Sequence, residues 1–263
     1  MPFIASVEGQ FGYGRADTNQ IVQGSNLLIW LDSTNPQSYT SGTTWSNLVS
    51  GLTKYNNILV NSVTSSNVEY NGTTNTALSF NGTNQYMYSS SNLLGAAQSN
   101  NWQETREMWL YWRGTAGGFL QEAGTITPDT NWFDQQAAMS SNVLAYSVWN
   151  GANITTNARV VFSSLTSNTW NHIIWQHNKA TNNLLAYVNG VQTFNQTGIS
   201  RTTPDSVIAS FYILFAAGSA TNFGYGGGSY WGGAISVFRW YNTILTSNQV
   251  LQNYKAERAR FGR

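Results

Sequence analysis

The chain has 263 residues, no cysteine and only 9% charged residues, with a formal net charge of +1. Without cysteine there can be no disulfide, thiolate metal site or cysteine nucleophile. So little charge excludes strong long-range attraction of nucleic acid or an anionic membrane, and we expect neither as a partner. Uncharged partners, such as neutral glycans or further copies of the chain, suit this composition better.

Residues 1–24 predict an N-terminal arm that is rich in Gly and Gln. The arm lacks a basic stretch followed by an apolar one, so we expect no Sec signal peptide. No window of the chain approaches the roughly 20 apolar residues of a membrane-spanning helix, so we expect a soluble protein. Apolar anchors stand at Phe3, Ile4, Phe11 and Tyr13, and such an arm can become ordered on a neighbouring subunit. The alternative is a frayed terminus.

Short runs of β-branched and aromatic residues, separated by Gly, Asn, Ser and Thr, follow the arm and predict strands. The predicted strands are Leu27–Leu31, Leu78–Phe80, Gln85–Tyr88, Glu107–Trp112, Leu144–Trp149, Arg159–Phe162, Trp170–His177, Leu184–Val188, Val191–Phe194, Phe211–Ala216 and Ala234–Trp240. So many strands in one chain indicate a sandwich or a barrel. Asn-Gly pairs favour type I′ hairpin turns, most clearly at Asn189-Gly190. Further pairs are Asn71-Gly72, Asn81-Gly82 and Asn150-Gly151.

Both histidines of the chain, His172 and His177, lie in the predicted strand Trp170–His177. Successive strand residues point to opposite faces, so Trp170, His172, Ile174 and Gln176 share one face. The two histidines therefore cannot bind one metal from this strand. We interpret them as sheet residues that form hydrogen bonds with their neighbours.

One helix is predicted near the C-terminus. Thr246 and Gln249 form a capping box, and Val250, Leu251 and Tyr254 follow on one face. Residues 257–263 predict a basic tail. We interpret its charge as solvated and complementary to the helix dipole, because it is too short to indicate nucleic-acid binding.

Several of these segments, in this order, resemble laminin-G-like, or concanavalin A-like, lectin and glucanase domains. They are Leu28–Pro36 with Gly42–Trp45, Leu78–Asn84, Glu107–Trp112, Trp170–Ile173, Leu184–Gly190 and Ala234–Tyr241. The resemblance spans roughly residues 25–256. It implies an all-β fold, a concanavalin A-like jelly-roll β-sandwich of two antiparallel sheets with a short C-terminal helix. It implies no single function.

Glycoside hydrolases of this architecture use two carboxylates in one cleft, roughly 5–5.5 Å apart in retaining enzymes. Glu104 and Glu107 are three apart, so a strand would place them on opposite faces, and Arg106 between them is a salt-bridge candidate. Asp129 and Asp134 have no companion in their loop. We interpret both pairs as solvated and predict that the protein is not an enzyme.

Calcium is the one cofactor that the resemblance raises, since many laminin-G-like domains bind Ca²⁺ through Asp, Asn and backbone oxygens. Asn81 stands where that family commonly has Asp. Asp32 is a weak candidate ligand, although Asp32–Pro36 also fits an Asx-type turn. We expect no metal or cofactor.

The loop 221–233 is the candidate binding site. Phe223, Tyr225, Tyr230 and Trp231 stand among glycines and could stack on sugar faces, with Asn222 forming hydrogen bonds to hydroxyls. The alternative is that these rings pack on a sheet face or a neighbouring subunit. If the first interpretation holds, Trp231→Ala abolishes glycan binding and leaves the fold intact. Trp30, Trp109, Trp112 and Trp240 lie in predicted strands and are expected in the core.

The chain ends, Met1–Arg15 and Asn253–Gly262, resemble those of laminin-G-like proteins encoded by large DNA viruses and tailed phages, where such domains are often virion components. This resemblance implies a non-enzymatic structural protein at the virion surface or on the capsid, a decoration or fibre component. It would assemble through its terminal arms with itself, as a homo-oligomer, or with other virion proteins. The alternative is a lectin-like module that binds host or surface glycans.

Overall fold

The computed structural model describes residues 21–91, 103–114, 117–123, 132–140, 143–148, 159–162, 165–178, 180–198, 212–215, 217–218 and 229–263. Within these ranges the chain forms 18 strands and one α-helix, α1 (Ser247–Glu257). The strands are β1 (Leu27–Asp32), β2 (Thr44–Trp45), β3 (Asn57–Val60), β4 (Thr64–Tyr70), β5 (Thr73–Asn81), β6 (Tyr86–Ser89), β7 (Gln103–Trp112), β8 (Gly117–Ala123), β9 (Trp132–Ser140), β10 (Val143–Val148), β11 (Arg159–Phe162), β12 (Trp170–Asn178), β13 (Asn183–Val188), β14 (Val191–Gln196), β15 (Tyr212–Phe215), β16 (Ala217–Gly218), β17 (Ser229–Tyr230) and β18 (Gly232–Tyr241).

Two antiparallel sheets of eight strands make up the domain. Sheet I runs in the order β14-β13-β12-β7-β18-β5-β4, and β1 also pairs with β18. Sheet II runs in the order β11-β10-β9-β8-β15-β6-β3-β2, and β16 and β17 form a separate two-stranded ribbon. The expected all-β jelly-roll-like sandwich is confirmed.

A single apolar cluster fills the space between the sheets. Sheet I contributes, among others, Met108, Leu110, Ile173, Phe238 and Trp240, and sheet II contributes Trp45, Leu59 and Met87. These positions alternate along their strands with side chains on the outer faces, as the two-residue period of a strand requires. The tryptophans expected in the core are all buried, at 9% exposure or less.

The outer face of sheet I is covered by α1 and by the residues that follow it. The capping box is confirmed, because the Gln249 backbone N–H donates to Thr246 Oγ1 while the Gln249 side chain accepts from the Thr246 backbone. Val250 packs against Ile174 and Tyr241 in one apolar cluster. Among the described residues, no helix is both long and apolar enough to span a membrane.

Packing extends past both predicted domain boundaries. At the N-terminal end Ile21 is buried, and the Val22 N–H donates to Asn253 Oδ1 on α1 (2.8 Å). At the C-terminal end Phe261 is fully buried and Arg260 is 8% exposed. The prediction of a solvated basic tail over residues 257–263 is therefore wrong: the tail covers the outer face of sheet I with apolar and ion-paired side chains.

Two of the four Asn-Gly pairs form the predicted hairpin turns. Both residues have positive φ at Asn71-Gly72 (48° and 73°) and at Asn189-Gly190 (50° and 79°), which the type I′ turn requires. At Gly82 only the glycine has positive φ, because Asn81 still belongs to β5. Asn150-Gly151 lies outside the described residues.

Candidate functional site

The densest group of ionisable side chains lies between sheet I and α1. Glu107 accepts hydrogen bonds from His172 Nε2 (2.9 Å) and Arg239 Nη1 (3.0 Å). Asn253 Nδ2 on α1 donates to the same carboxylate (2.7 Å). Burial alone would raise the pKa of Glu107, but the Arg239 charge and the His172 and Asn253 contacts outweigh it and lower the pKa to about 2. The carboxylate is therefore ionised, and both of its oxygens accept hydrogen bonds from protein groups.

Glu257, the last residue of α1, completes this buried network. Its carboxylate accepts from Arg239 and from the Trp109 indole (2.9 Å). The two carboxylates of Glu107 and Glu257 thus converge on one guanidinium, and all three side chains have no exposed surface. A substrate cannot reach them, so the group joins the helix to the sheet and is not a catalytic pair.

The predicted solvation of Glu104 and Glu107 is consequently wrong. Their side chains do point to opposite faces, as expected, but both faces of sheet I are covered. Glu104 accepts from Arg106 Nε on the core side (3.0 Å), which confirms the expected ion pair. Asp134 was also expected in a loop and lies instead within β9; Asp129 lies outside the described residues.

Both histidines occupy opposite faces of β12, as the strand period predicts, and both are buried. His172 lies on the outer face, where its ring is 4.9 Å from Trp109 and 5.6 Å from Tyr254. No carboxylate of its own strand orients it; Glu107 on the adjacent strand does. Among the described residues, no three His, Cys, Asp or Glu side chains converge as a metal site would require.

Asp32, the weak calcium candidate, forms a salt bridge with Arg260. Its two carboxylate oxygens accept from Arg260 Nη1 (2.9 Å) and Nη2 (2.8 Å), and its Oδ1 also accepts from the Thr34 N–H (2.9 Å). Burial alone would raise the pKa of Asp32, but Arg260 and Thr34 keep it below its ordinary value. The Asx-turn interpretation fits this geometry, and Arg260 occupies the positions that a cation would need.

Three tyrosines form a half-buried group on the outer face of sheet II, which we call the tyrosine platform (Tyr86, Tyr88 and Tyr230). Strand β6 alternates, so that Met87 enters the core while Tyr86 and Tyr88 stay outside. The Tyr86 ring centroid lies 6.4 Å from that of Tyr88 and 6.2 Å from that of Tyr230. Burial, with smaller contributions from Tyr230 and Tyr88, raises the pKa of Tyr86. The Tyr86 phenol is therefore neutral near pH 7.

Apolar side chains flank the platform on the adjacent strand β3. Ile58 is paired with Tyr88 and Val60 with Tyr86, and both are half-buried. Tyrosine presents an apolar ring with a polar tip, which suits contact with an amphipathic ligand. On β3 and β6, the outer face of sheet II thus offers a contiguous aromatic and aliphatic surface.

Uncharged amides border one end of the platform, and we call them the amide rim (Asn61, Asn84 and Gln85). Asn61 Nδ2 donates to the Asn84 carbonyl (2.7 Å), and Gln85 Nε2 donates to the Asn61 carbonyl (3.2 Å). Asn81 Oδ1 accepts three backbone N–H groups of this loop, including that of Asn84 (3.1 Å). The rim is therefore held in place, while Asn84 Nδ2 has no partner among the described residues and is exposed.

The loop that carries the rim lies against the backbone that follows Tyr230, where Gly232 is paired with Asn81. A Cβ atom at Gly82 would lie 3.3 Å from the backbone of Gly232, two residues after Tyr230. The loop that begins at Asn81 therefore packs on the β17–β18 junction. Gln85 directly precedes Tyr86, and Asn61 directly follows its cross-strand partner Val60, so the rim adjoins the Tyr86 end of the platform.

Trp231 does not belong to this surface. It is fully buried, with its ring centroid 6.2 Å from that of Phe80 in the core between the sheets. A Cβ at Gly233 would overlap the Trp231 ring, so glycine is needed there for the indole to turn inward. The prediction that Trp231 is an exposed stacking residue is wrong, and its replacement would disturb the core.

The remaining predicted site residues lie in segments outside the described ranges. Asn222, Phe223 and Tyr225 lie outside the described residues, and so do the arm anchors Phe3, Ile4, Phe11 and Tyr13. Of the predicted glycan-binding set, only Tyr230 is placed on the platform.

Sequence reasoning overlooked Tyr86 and Tyr88. The signal was present in Gln85–Ser89, where tyrosines alternate with a methionine and a serine that the structure buries. An alternating strand with two aromatics on its solvent face is a candidate binding surface, because each ring offers a flat apolar area and a polar tip to a ligand.

The fold can be compared with known proteins. No family model matches the sequence, and no curated protein is significantly similar to it. Among solved structures, the chain is similar to the botulinum neurotoxin serotype D ligand binding domain in complex with N-acetylneuraminic acid, with 10% identity and a TM-score of 0.57 over 88% of this chain and 51% of that one. It is similar to the Trypanosoma rangeli sialidase in complex with sialic acid, with 12% identity and a TM-score of 0.59 over 92% of this chain and 34% of that one.

A third similar structure is the binding domain of Paraclostridial Mosquitocidal Protein 1, with 14% identity and a TM-score of 0.58 over 90% of this chain and 55% of that one. The chain thus spans about half of the toxin domains and a third of the sialidase. At such low identity these similarities show the fold alone, a jelly-roll-like β-sandwich.

Proposed function

We propose that the protein is a carbohydrate-binding, lectin-like module whose tyrosine platform and amide rim form the binding surface. The observation that supports this most is the group of three adjacent tyrosines on the outer face of sheet II. One face of a pyranose ring consists of C–H groups, and these pack favourably on aromatic rings. The amides of the rim can both donate to and accept from sugar hydroxyls.

The comparisons support this proposal over a purely structural role. Two of the three similar structures described above contain a sialic acid, and the two toxin structures are binding domains. The sialidase is an enzyme, but this chain corresponds to only 34% of it. The platform residues include no carboxylate, and Glu107 and Glu257 are buried between sheet I and α1, so we propose binding without catalysis.

The test is binding to a glycan array by the intact chain and two variants. Tyr86→Ala removes the central ring of the platform and should weaken binding about tenfold, which corresponds to roughly 1.4 kcal/mol of aromatic contact. Tyr70→Ala is the matched control, because Tyr70 is also half-buried but lies on the outer face of sheet I, under Arg263. Equal binding by both variants would place the glycan site elsewhere.

A structural assembly role, as predicted for a virion component, remains the second candidate. The observation that favours it is that the first described residues of the chain and its last residue lie on the same side of the domain. Val22 contacts α1, and Arg263 Nε donates to the Trp170 carbonyl, both on the outer face of sheet I. A module attached through this side would present the platform on the opposite side. Native mass measurement of the chain with and without residues 1–20 tests this role. The assembly role requires that the intact chain forms an oligomer and that the truncated chain is a monomer.

A further inference from the structure

We infer that the tyrosine platform selects uncharged saccharides and disfavours sialylated ones. This inference rests on the proposed function and specifies its ligand class. It differs from the ligands seen in two of the similar structures, which contain sialic acid. The basis is the distribution of charge around the three tyrosines.

The segments that build the platform contain no ionisable side chain other than tyrosine. This holds for β2 and β3, for residues 81–91, and for the described residues 212–215, 217–218 and 229–235; the sequence between these last ranges has no Asp, Glu, Lys, Arg or His either. Lys54 is the nearest cation along these strands, and it precedes β3 at the end opposite the amide rim. Glu122 on β8 is an anion and lies two strands away from β6.

Among the described cations, Arg113 is the one whose guanidinium contacts the strand that follows Tyr230, and it is directed to the other side of the sandwich. Its Nη1 donates to the Gly233 carbonyl (2.8 Å), and its Nη2 lies 3.4 Å from Ser79 Oγ. Ser79 follows Leu78 and precedes Phe80, which both point into the core, so Ser79 is on the outer face of sheet I. The remaining cations with described side chains lie on α1, in the tail or in the buried networks of sheet I.

A sialic acid carboxylate would therefore meet aromatic rings and amides without a cation. The face of a tyrosine ring carries partial negative charge and repels an anion, whereas it attracts the C–H face of a neutral pyranose. Moving a carboxylate from water into such surroundings is unfavourable unless a charge partner compensates for the lost hydration. A neutral sugar loses no such hydration, and its hydroxyls can bond to Asn84 and Gln85.

The first experiment compares matched glycans on one array, each printed with and without its terminal sialic acid, and repeats the titration of the tightest ligand in 50 and 500 mM NaCl. We expect the neutral member of each pair to bind at least tenfold more tightly, with an affinity that changes less than about twofold between the two salt concentrations. Preference for the sialylated members, with affinity lost in high salt, would overturn this inference. If that binding is also weakened by Tyr86→Ala, the proposed glycan site at the platform still stands and only the preference for uncharged saccharides is refuted.

The second experiment uses a charge-reversal pair at Val60, the half-buried cross-strand neighbour of Tyr86. Val60→Arg and Val60→Glu alter the same position with opposite charges, so a neutral ligand should bind both variants within about threefold of each other. An anionic ligand should separate them by about tenfold or more, because each charge acts in the opposite direction. Such a separation would contradict the inference, whereas failure to bind any glycan, neutral or sialylated, would overturn the proposed function and this inference together.

Discussion

Replacing Phe261 by alanine tests whether the C-terminal tail is part of the folded domain. The Phe261 ring is fully buried, with its centroid 4.1 Å from that of Trp109 at an interplanar angle of 14° and 4.8 Å from that of Trp170. The Arg260 guanidinium also lies over this ring, 4.9 Å from its centroid. Removal of the ring therefore leaves a cavity between the tail and sheet I and deprives both indoles of their contact.

Truncation of a buried phenylalanine to alanine costs about 3–5 kcal/mol. Against a total stability of roughly 5–15 kcal/mol, this is a large fraction. For a domain of this size it lowers Tm by on the order of 10 °C. Thermal and urea unfolding, followed by tryptophan fluorescence, measure both quantities, and Trp109 and Trp170 are two of the 11 tryptophans that contribute to the signal.

Val191→Ala provides the control. Val191 is 64% exposed, so its truncation should change the free energy of unfolding by less than about 0.5 kcal/mol. If Phe261→Ala is as stable as this control, the tail is not packed as described, and the buried network of Glu257 and Arg260 loses its support as well.

Two further predictions concern the core and the buried carboxylates. Trp231→Ala should lower the free energy of unfolding by about 3–5 kcal/mol in urea titrations, because the indole fills the core beside Phe80; a stable variant that merely loses glycan binding would restore the exposed interpretation. Glu107 has a folded pKa of about 2 against an ordinary 4.5, and the pKa of Asp32 is also lowered. The two ionised carboxylates stabilise the fold fully above about pH 4.5, and this contribution is lost as the pH falls toward 2. For Glu107 the loss is about 3 kcal/mol. The urea midpoint should therefore be flat from pH 7 to 5 and fall steeply below pH 4.5.

Local sequence signals predicted the parts of the fold that local interactions determine. The β13–β14 hairpin follows from Asn189-Gly190, because these two residues accept the positive φ that the turn needs. The start of α1 follows from the reciprocal bonds of Thr246 and Gln249. The alternation of β12 correctly placed its two histidines on opposite faces.

Strands with polar or weakly β-forming sequences were missed. Strand β4 is mostly serine, threonine and asparagine and lies at the edge of sheet I, where only Val68 is buried. Strand β9 has no β-branched residue to mark it. In such segments pairing with a neighbour determines the structure, and a local window does not contain that information.

The buried network could not be predicted because its partners are distant in the sequence. Glu107 and Asn253 are 146 residues apart, and Asp32 and Arg260 are 228 apart. Strand alternation placed Glu107 away from the core and thus suggested solvent. Only the packing of α1 and the tail on that face turns an apparently exposed carboxylate into a buried one.

The candidate site was predicted in part for a similar reason. Aromatic residues among glycines drew attention to Tyr230 and Trp231, which are adjacent in sequence and end on opposite sides of sheet II. Gly233 decides this outcome, because its missing side chain leaves room for the Trp231 ring. Tyr86 joins Tyr230 only through the arrangement of β6 beside the β17–β18 junction.

The position of a bound glycan on the protein tests the central claim most directly. The chain has 14 tyrosines, so ring-labelled tyrosine gives a manageable NMR spectrum that can be assigned with single substitutions. On titration with the tightest array ligand, the ring signals of Tyr86, Tyr88 and Tyr230 should shift together, while that of Tyr70 should not. Saturable shifts confined to tyrosines outside the platform would contradict the account.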